Sequence, residues 1–179
     1  PIHQLEDQRA IIRRSLDTIE RFTGKRPRGW LGPGLTQTYE TCDLLAEAGV
    51  QYIGDWVYDD QPTEIRTGHG PLYTLPYTVE LNDIPIMMVQ HHRSDELMRR
   101  AIDSFDRLYA EGGETARVMA VAVHPYISGV PHRIKYFEAA YEYLKRHDKV
   151  LFWTGEQLLD WYLAQPRAGG AAARPPDTF

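Results

Sequence analysis

Residues 121–133 read VAVHPYISGVPHR. The run leading into them, Arg117–Val123, is almost continuously apolar and predicts a strand buried on both faces. It breaks at His124. A turn follows, built on Tyr126, Gly129 and Pro131, and a helix is expected from Arg133 to His147. An imidazole at a strand end can give or take a proton near neutrality, or can simply open a loop with a hydrogen bond. Residues on either side of this stretch decide between the two.

Outward from it, helical periods alternate with short apolar runs. Leu5–Phe22 carries an apolar stripe (Leu5, Ile11, Ile12, Leu16, Ile19), with Gly24 placed to end the helix and Pro27 beyond it. RGWLGPGL, residues 28–35, predicts a short strand leading into a loop. A helix with Leu44, Leu45 and Ala48 is capped by Thr38 or Thr41 and stops at Gly49. Val50–Ile53 and Pro71–Tyr77 predict strands, and Ile84–Val89 an extended segment. Ser94 is placed to cap a helix over 95–110 with Leu97, Ala101, Ile102, Phe105 and Leu108 inward. Val150–Phe152 predicts another strand. Thr154 and Gln157 have the spacing of a capping box. Strands alternating with helices imply βα units and a mostly parallel sheet, whose active residues sit in loops at the strands' carboxyl ends. One domain is expected over 1–165, with a low-complexity, disordered tail over 166–179.

Composition narrows the class. The chain has 179 residues, 42% hydrophobic and 25% charged, enough for one domain with a real core. Eleven Tyr, 4 Trp and 5 Phe exclude a disordered chain. A net charge of -5 speaks against a nucleic-acid surface. No apolar run is long enough to span a bilayer, so no membrane partner is expected. The one cysteine, Cys42, cannot form an internal disulfide, so a reducing, cytoplasmic setting is the simpler expectation.

The chemistry-bearing residues gather in the loops. GDWVYDD holds Asp55, Asp59 and Asp60 around Trp56 and Tyr58. Clustered carboxylates can orient a base or bind a metal, or form a solvated turn. PYTVELND offers Glu80, Asn82 and Asp83, suited to a polar ureide or sugar, or to an Asx turn. GWLGPGL lacks the order of a phosphate loop. His91 and His92 are adjacent and alternate faces if extended, and His132 belongs to the helix start. His3 lies at the terminus. No HExxH, CxxC or nucleophile elbow occurs, so no metal ligands are assigned. Cys42, inside a helical pattern, is read as core.

In order, the loops resemble the polysaccharide deacetylase (NodB-type) superfamily, and within it the allantoinase-like branch. The carrying residues are Thr23, Gly24, Arg26, Pro27, Gly29 and Trp30, then AGVQY, DWVYDDQP, LPYTVELND and HPYISGVPHR, across nearly all of 5–163. The resemblance implies an α/β fold, a partial, distorted (β/α) barrel without its first strands. It implies hydrolysis of a non-peptide carbon–nitrogen bond in an N-acetylated glycan or an allantoin-type ureide. His124 matches the late-strand histidine, a general acid for the leaving nitrogen, and Asp55 and Asp60 the acidic loop that orients catalytic groups. Trp30, Trp56 and Tyr126 would wall the substrate, and Asn82, Asp83 and Arg133 would hydrogen-bond it.

The deacetylases' Asp-Asp and His-x-x-x-His motifs, which hold a zinc-type divalent metal, would fall before Leu5, with Pro1–His3 like the end of the second. The cofactor is therefore left open; members of the allantoinase-like branch are described as not needing the metal. Leu31 and Gly32 stand where the family has a loop arginine. This chain alone is expected to be inactive. A part-barrel leaves strand edges free, so a homo-oligomer is expected. The alternative function is a binding or assembly module that keeps the loops without the chemistry.

Overall fold

The computed structural model describes residues 7–166; Leu5, His3 and the 167–179 tail lie outside the described residues. The first helix, α1 (Gln8–Thr23), starts where the Asp7 carboxylate accepts from Ala10 N at 2.9 Å. It ends at Gly24, whose φ of 74° turns its N–H back to Glu20 O. Ile12 and Leu16 are buried, while Ile19 of the expected stripe is exposed. β1 (Gly29–Trp30) follows, and then a loop with one short helical turn at Pro33–Leu35. In α2 (Thr41–Glu47), neither expected threonine caps by its side chain. The Thr41 hydroxyl instead takes Thr38 N and donates to Gln8 Oε1, tying α2 to α1.

Three strands run parallel, β1 beside β2 (Tyr52–Ile53) beside β4 (Gly70–Thr74). β3 (Thr63–Thr67) adds an antiparallel edge, giving the order β1-β2-β4-β3. The β3–β4 hairpin was not expected. Its turn is Gly68-His69, inside the pair Thr67↔Gly70, and Gly70 has a φ of 105°. On this sheet Ile12, Leu16, Leu44, Leu45, Val50, Ile53 and Leu72 form a first apolar core. Each fully buried aliphatic side chain there contributes about 2 kcal/mol.

A second core (Leu81, Ile86, Met87, Leu97, Ile127) lies under the later loops. It joins α3 (Glu96–Glu111) to the turn after His124. α3 packs on α4 (Ile134–Lys145) through the rings of Phe105, Tyr143 and His147. Ser94 does not cap α3; its hydroxyl accepts from Arg133 Nε at 3.4 Å. α5 (Gly155–Ala164) has the expected capping box, Thr154 with Gln157. Its Asp160 pairs with Arg28, just before β1, at 2.6 Å. The Tyr52 ring fills the space between Gly29 and Gly155: a Cβ on Gly29 would overlap it, and one on Gly155 would lie 2.8 Å away.

Three expected strands differ. Ile84–Val89 is a single wide helical turn, because Asn82 accepts from Ile84 N through Oδ1 and from Ile86 N through its carbonyl. Arg117–Val123 is extended but makes one parallel bridge, Asn82↔Ala122, and is half-buried instead of covered on both faces. Val150–Phe152 pairs with nothing among the described residues, and Leu151 and Phe152 are 64% and 46% exposed. Both of the last two are apolar enough for strands; among the described residues the first bridges only to Asn82 and the second to nothing, so neither builds a ladder. Among the described residues no helix is long and apolar enough to cross a membrane.

Candidate active site

His124 is placed by what lies beneath it. Its carbonyl accepts from both Ile127 N and Ser128 N at 2.9 Å, closing a tight turn. Ile127 anchors that turn in the second core. The chain then passes so close to itself that a Cβ on Gly129 would sit 2.5 Å from Pro125 O, so only glycine fits.

The turn wraps a carboxylate. Asp83 has no exposed surface. Its Oδ1 lies 2.6 Å from His124 Nδ1, and its Oδ2 accepts from His124 N at 2.7 Å and Ser128 Oγ at 2.8 Å. A carboxylate has no proton to give, so Nδ1 carries the hydrogen of that contact. This fixes the tautomer and ring orientation and leaves Nε2 as the atom that exchanges a proton. The His124 side chain is 33% exposed, and Tyr126 stands edge-on to it at 5.6 Å between ring centres, open to solvent. Asp83 was expected to meet substrate. It lies instead behind His124, both oxygens taken by the protein.

Asp55, just past β2, is also buried, and its role differs from the one expected. Oδ1 accepts from Gly32 N at 2.5 Å and Oδ2 from Gln37 Nε2 at 2.8 Å. Gln37 Oε1 in turn accepts from the Trp56 indole at 2.8 Å. Asp55 therefore pins the GWLGPGL loop and, through Gln37, sets the exposed Trp56 ring. Asp60 stands apart from both carboxylates' networks. It pairs with Arg117 at 3.4 Å, and its N–H is bonded to Asp59. Burial first, then the hydrogen bond with Asp59, holds its carboxyl above the usual range.

Of the remaining expected contacts, Trp56 and Tyr126 are exposed and Trp30 is only partly so. Trp30 packs on the first core, and its indole N–H is buried without an acceptor among the described residues. Asn82 makes an Asx turn, its side-chain oxygen held by Ile84 N. Arg133 points back to Ser94 and to Ile127 O, both at 3.4 Å, bracing the His124 turn. Ser128 and Gln37 escaped the sequence reading; nothing in their spacing marks them. Cys42 is half-buried, with burial raising its thiol, as suits a packing residue.

Among the described residues no group of three His, Cys, Asp or Glu side chains could hold a metal ion. His91 and His92 are both exposed. The carboxylates nearest the site are already committed, Asp83 to His124 and Asp55 to its loop, so the residues present do not fit the divalent metal of the deacetylases.

Comparison with solved structures gives this arrangement its context. The PuuE allantoinase superposes with a TM-score of 0.83 at 26% identity, over 92% of this chain and 56% of that one. A protein described as a probable polysaccharide deacetylase from Pseudomonas aeruginosa PAO1 gives 0.81 at 28%, over 91% and 56%. The fold is that of the NodB-type deacetylases. In sequence, the chain is 24% identical over 188 aligned positions to the peptidoglycan deacetylase of Helicobacter pylori, covering 86% of this chain and 62% of that protein. No protein-family model matches. The chain thus spans little more than half the length of these NodB-type relatives, and the superfamily resemblance carried by its loops extends over most of its own.

Proposed function

We propose that this chain carries the acid half of the active site of a hydrolase cleaving a non-peptide carbon–nitrogen bond. The substrate would be an N-acetylated amino-sugar polymer or an allantoin-type ureide. The observation that carries it is the buried Asp83 holding His124 Nδ1 on a ring that is one-third exposed. Water attacks the amide or ureide carbonyl. His124, protonated at Nε2, gives that proton to the departing nitrogen, and Asp83 stabilises the imidazolium. The exposed rings of Trp56 and Tyr126 would serve as apolar walls for the substrate. The attacking water's base comes from outside the 179 residues, and the lone thiol fits a cytoplasmic setting.

The test starts with the reading frame before Pro1. It should encode a strand ending in Asp-Asp and then a His-x-x-x-His motif. The extended protein should release acetate from N-acetylated chito-oligomers, or ring-opened acid from allantoin. His124→Ala in that protein should lower the rate by about 10²–10⁴-fold. Equal rates would remove His124 from the chemistry. Binding without turnover in the extended protein would favour a binding module, the second reading.

A further inference from the structure

His124 and Asp83 hold each other twice. The backbone N–H of His124 donates to Asp83 Oδ2 at 2.7 Å, and Nδ1 meets Oδ1 at 2.6 Å. Both bonds go to one residue, so they tie the pair together without fixing the plane of the carboxylate against the rest of the protein. A tilt of that plane takes Oδ1 off the line of Nδ1–H, and hydrogen bonds weaken steeply off line. Among the described residues, the one donor to the Asp83 carboxylate that does not belong to His124 is Ser128 Oγ, 2.8 Å from Oδ2.

Ser128 has firm footing for this contact. It is 4% exposed and sits between Ile127, buried in the second core, and Gly129, packed against Pro125. Its own N–H donates to His124 O at 2.9 Å. One residue thus grips both members of the pair, the histidine through its backbone and the carboxylate through its side chain. A serine hydroxyl has a single hydrogen, and here it goes to Asp83. A hydrogen bond to a carboxylate is about twice as strong as one between neutral groups. Oδ2 takes both Ser128 Oγ and His124 N, which leaves Oδ1 to Nδ1 alone.

We propose that Ser128 is a positioning residue for the proton donor: its hydroxyl fixes the Asp83 carboxylate so that Oδ1 keeps a hydrogen on His124 Nδ1 after Nε2 has given its proton to the leaving nitrogen. This rests on the hydrolase reading above. Ser128 acts through Asp83 and touches no substrate.

The experiment is nitrogen NMR of the imidazole rings in the full 179-residue chain, above the pH range in which imidazole is charged. The His124 signals are assigned by their loss in His124→Ala. The wild type should show the Nδ1–H tautomer in excess. Ser128→Ala removes the hydroxyl and keeps the backbone bond to His124 O, and the ratio of Nδ1–H to Nε2–H should fall about tenfold. Ser128→Cys fills the same space with a weaker donor and should lower the ratio by a smaller factor, which keeps the test decisive where alanine unfolds the turn. A hydroxyl that only packs the turn would lower the melting temperature of Ser128→Ala and leave the ratio alone. An unchanged ratio in either folded variant therefore overturns the inference and leaves the hydrolase reading standing. The hydrolase reading falls on a separate measurement, equal rates for the wild type and His124→Ala in the extended protein, and this inference falls with it.

Discussion

Asp55 and Asp83 are the same residue type in comparable positions. Each follows a strand or bridge of the parallel arrangement, and each is buried, at 6% and 0% exposure. Their partners separate them. Asp55 holds a backbone N–H and a glutamine amide, groups that do not titrate near neutrality. Asp83 holds the Nδ1 of an imidazole that is one-third exposed. The first carboxylate shapes a loop, and the second sets a proton. Burial and carboxylate identity are equal in the two regions, so function follows from what each one is bonded to.

The largest effect expected from breaking this comparison is at Asp83. In Asp83→Asn an amide NH2 must face His124 Nδ1–H, or else His124 N–H and the Ser128 hydroxyl, so buried donors confront donors. A loss of about 3 kcal/mol in urea unfolding is expected. The His124 ring should also change tautomer in its nitrogen NMR shifts. A loss under about 1 kcal/mol would put Asp83 in the same class as Asp55. Asp55→Asn should be milder, about 1 kcal/mol, because its remaining oxygen can keep Gly32 N–H. Gln37 must then flip and abandon the Trp56 indole, so tryptophan emission should shift. A cost equal to that at Asp83 would erase the distinction drawn here.

Asp60 gives the smallest effect and a sign. Its carboxyl is raised by burial and by Asp59, with Arg117 pulling weakly the other way. Its contribution to stability is thus fully present below the ordinary carboxylate range and is lost as pH rises through the raised value. Unfolding midpoints between about pH 3 and about pH 6 should show that component falling in the wild type and absent in Asp60→Asn. A component that grows with pH would mean that Arg117 dominates.

Much of this was legible in the chain. The periods of α1, α3 and α5, the Gly24 stop and the Thr154–Gln157 box are local signals, and local physics sets them. His124 at the end of an apolar run was legible for the same reason. Its partnership with Asp83 was not. The two are 41 residues apart, and Asn82-Asp83 reads equally as a turn or a substrate contact until the fold brings it under the histidine. Trp30 ends β1 and packs on the first core; whether an aromatic at a strand end turns to the core or to the surface is not set by its local sequence. The Val150–Phe152 and Arg117–Val123 runs show the opposite failure. Apolar β-branched composition marks a capacity to pair, and pairing needs a neighbour that no local pattern supplies. The β3–β4 hairpin was hidden by a Gly-His turn outside the commonest hairpin dipeptides.

The slot between Gly29 and Gly155 that holds Tyr52 reaches beyond packing. A ring at 52 forbids a side chain at 29 and crowds one at 155, though these positions lie on three separate segments. Drift at the three sites is therefore ordered. Position 52 must first shrink before either glycine can be replaced, and once a glycine has gained a side chain the return of an aromatic is blocked. Among related chains the three should change as a set, and a chain that kept the ring but lost the Gly29 equivalent would have had to move the start of α5 away from the sheet.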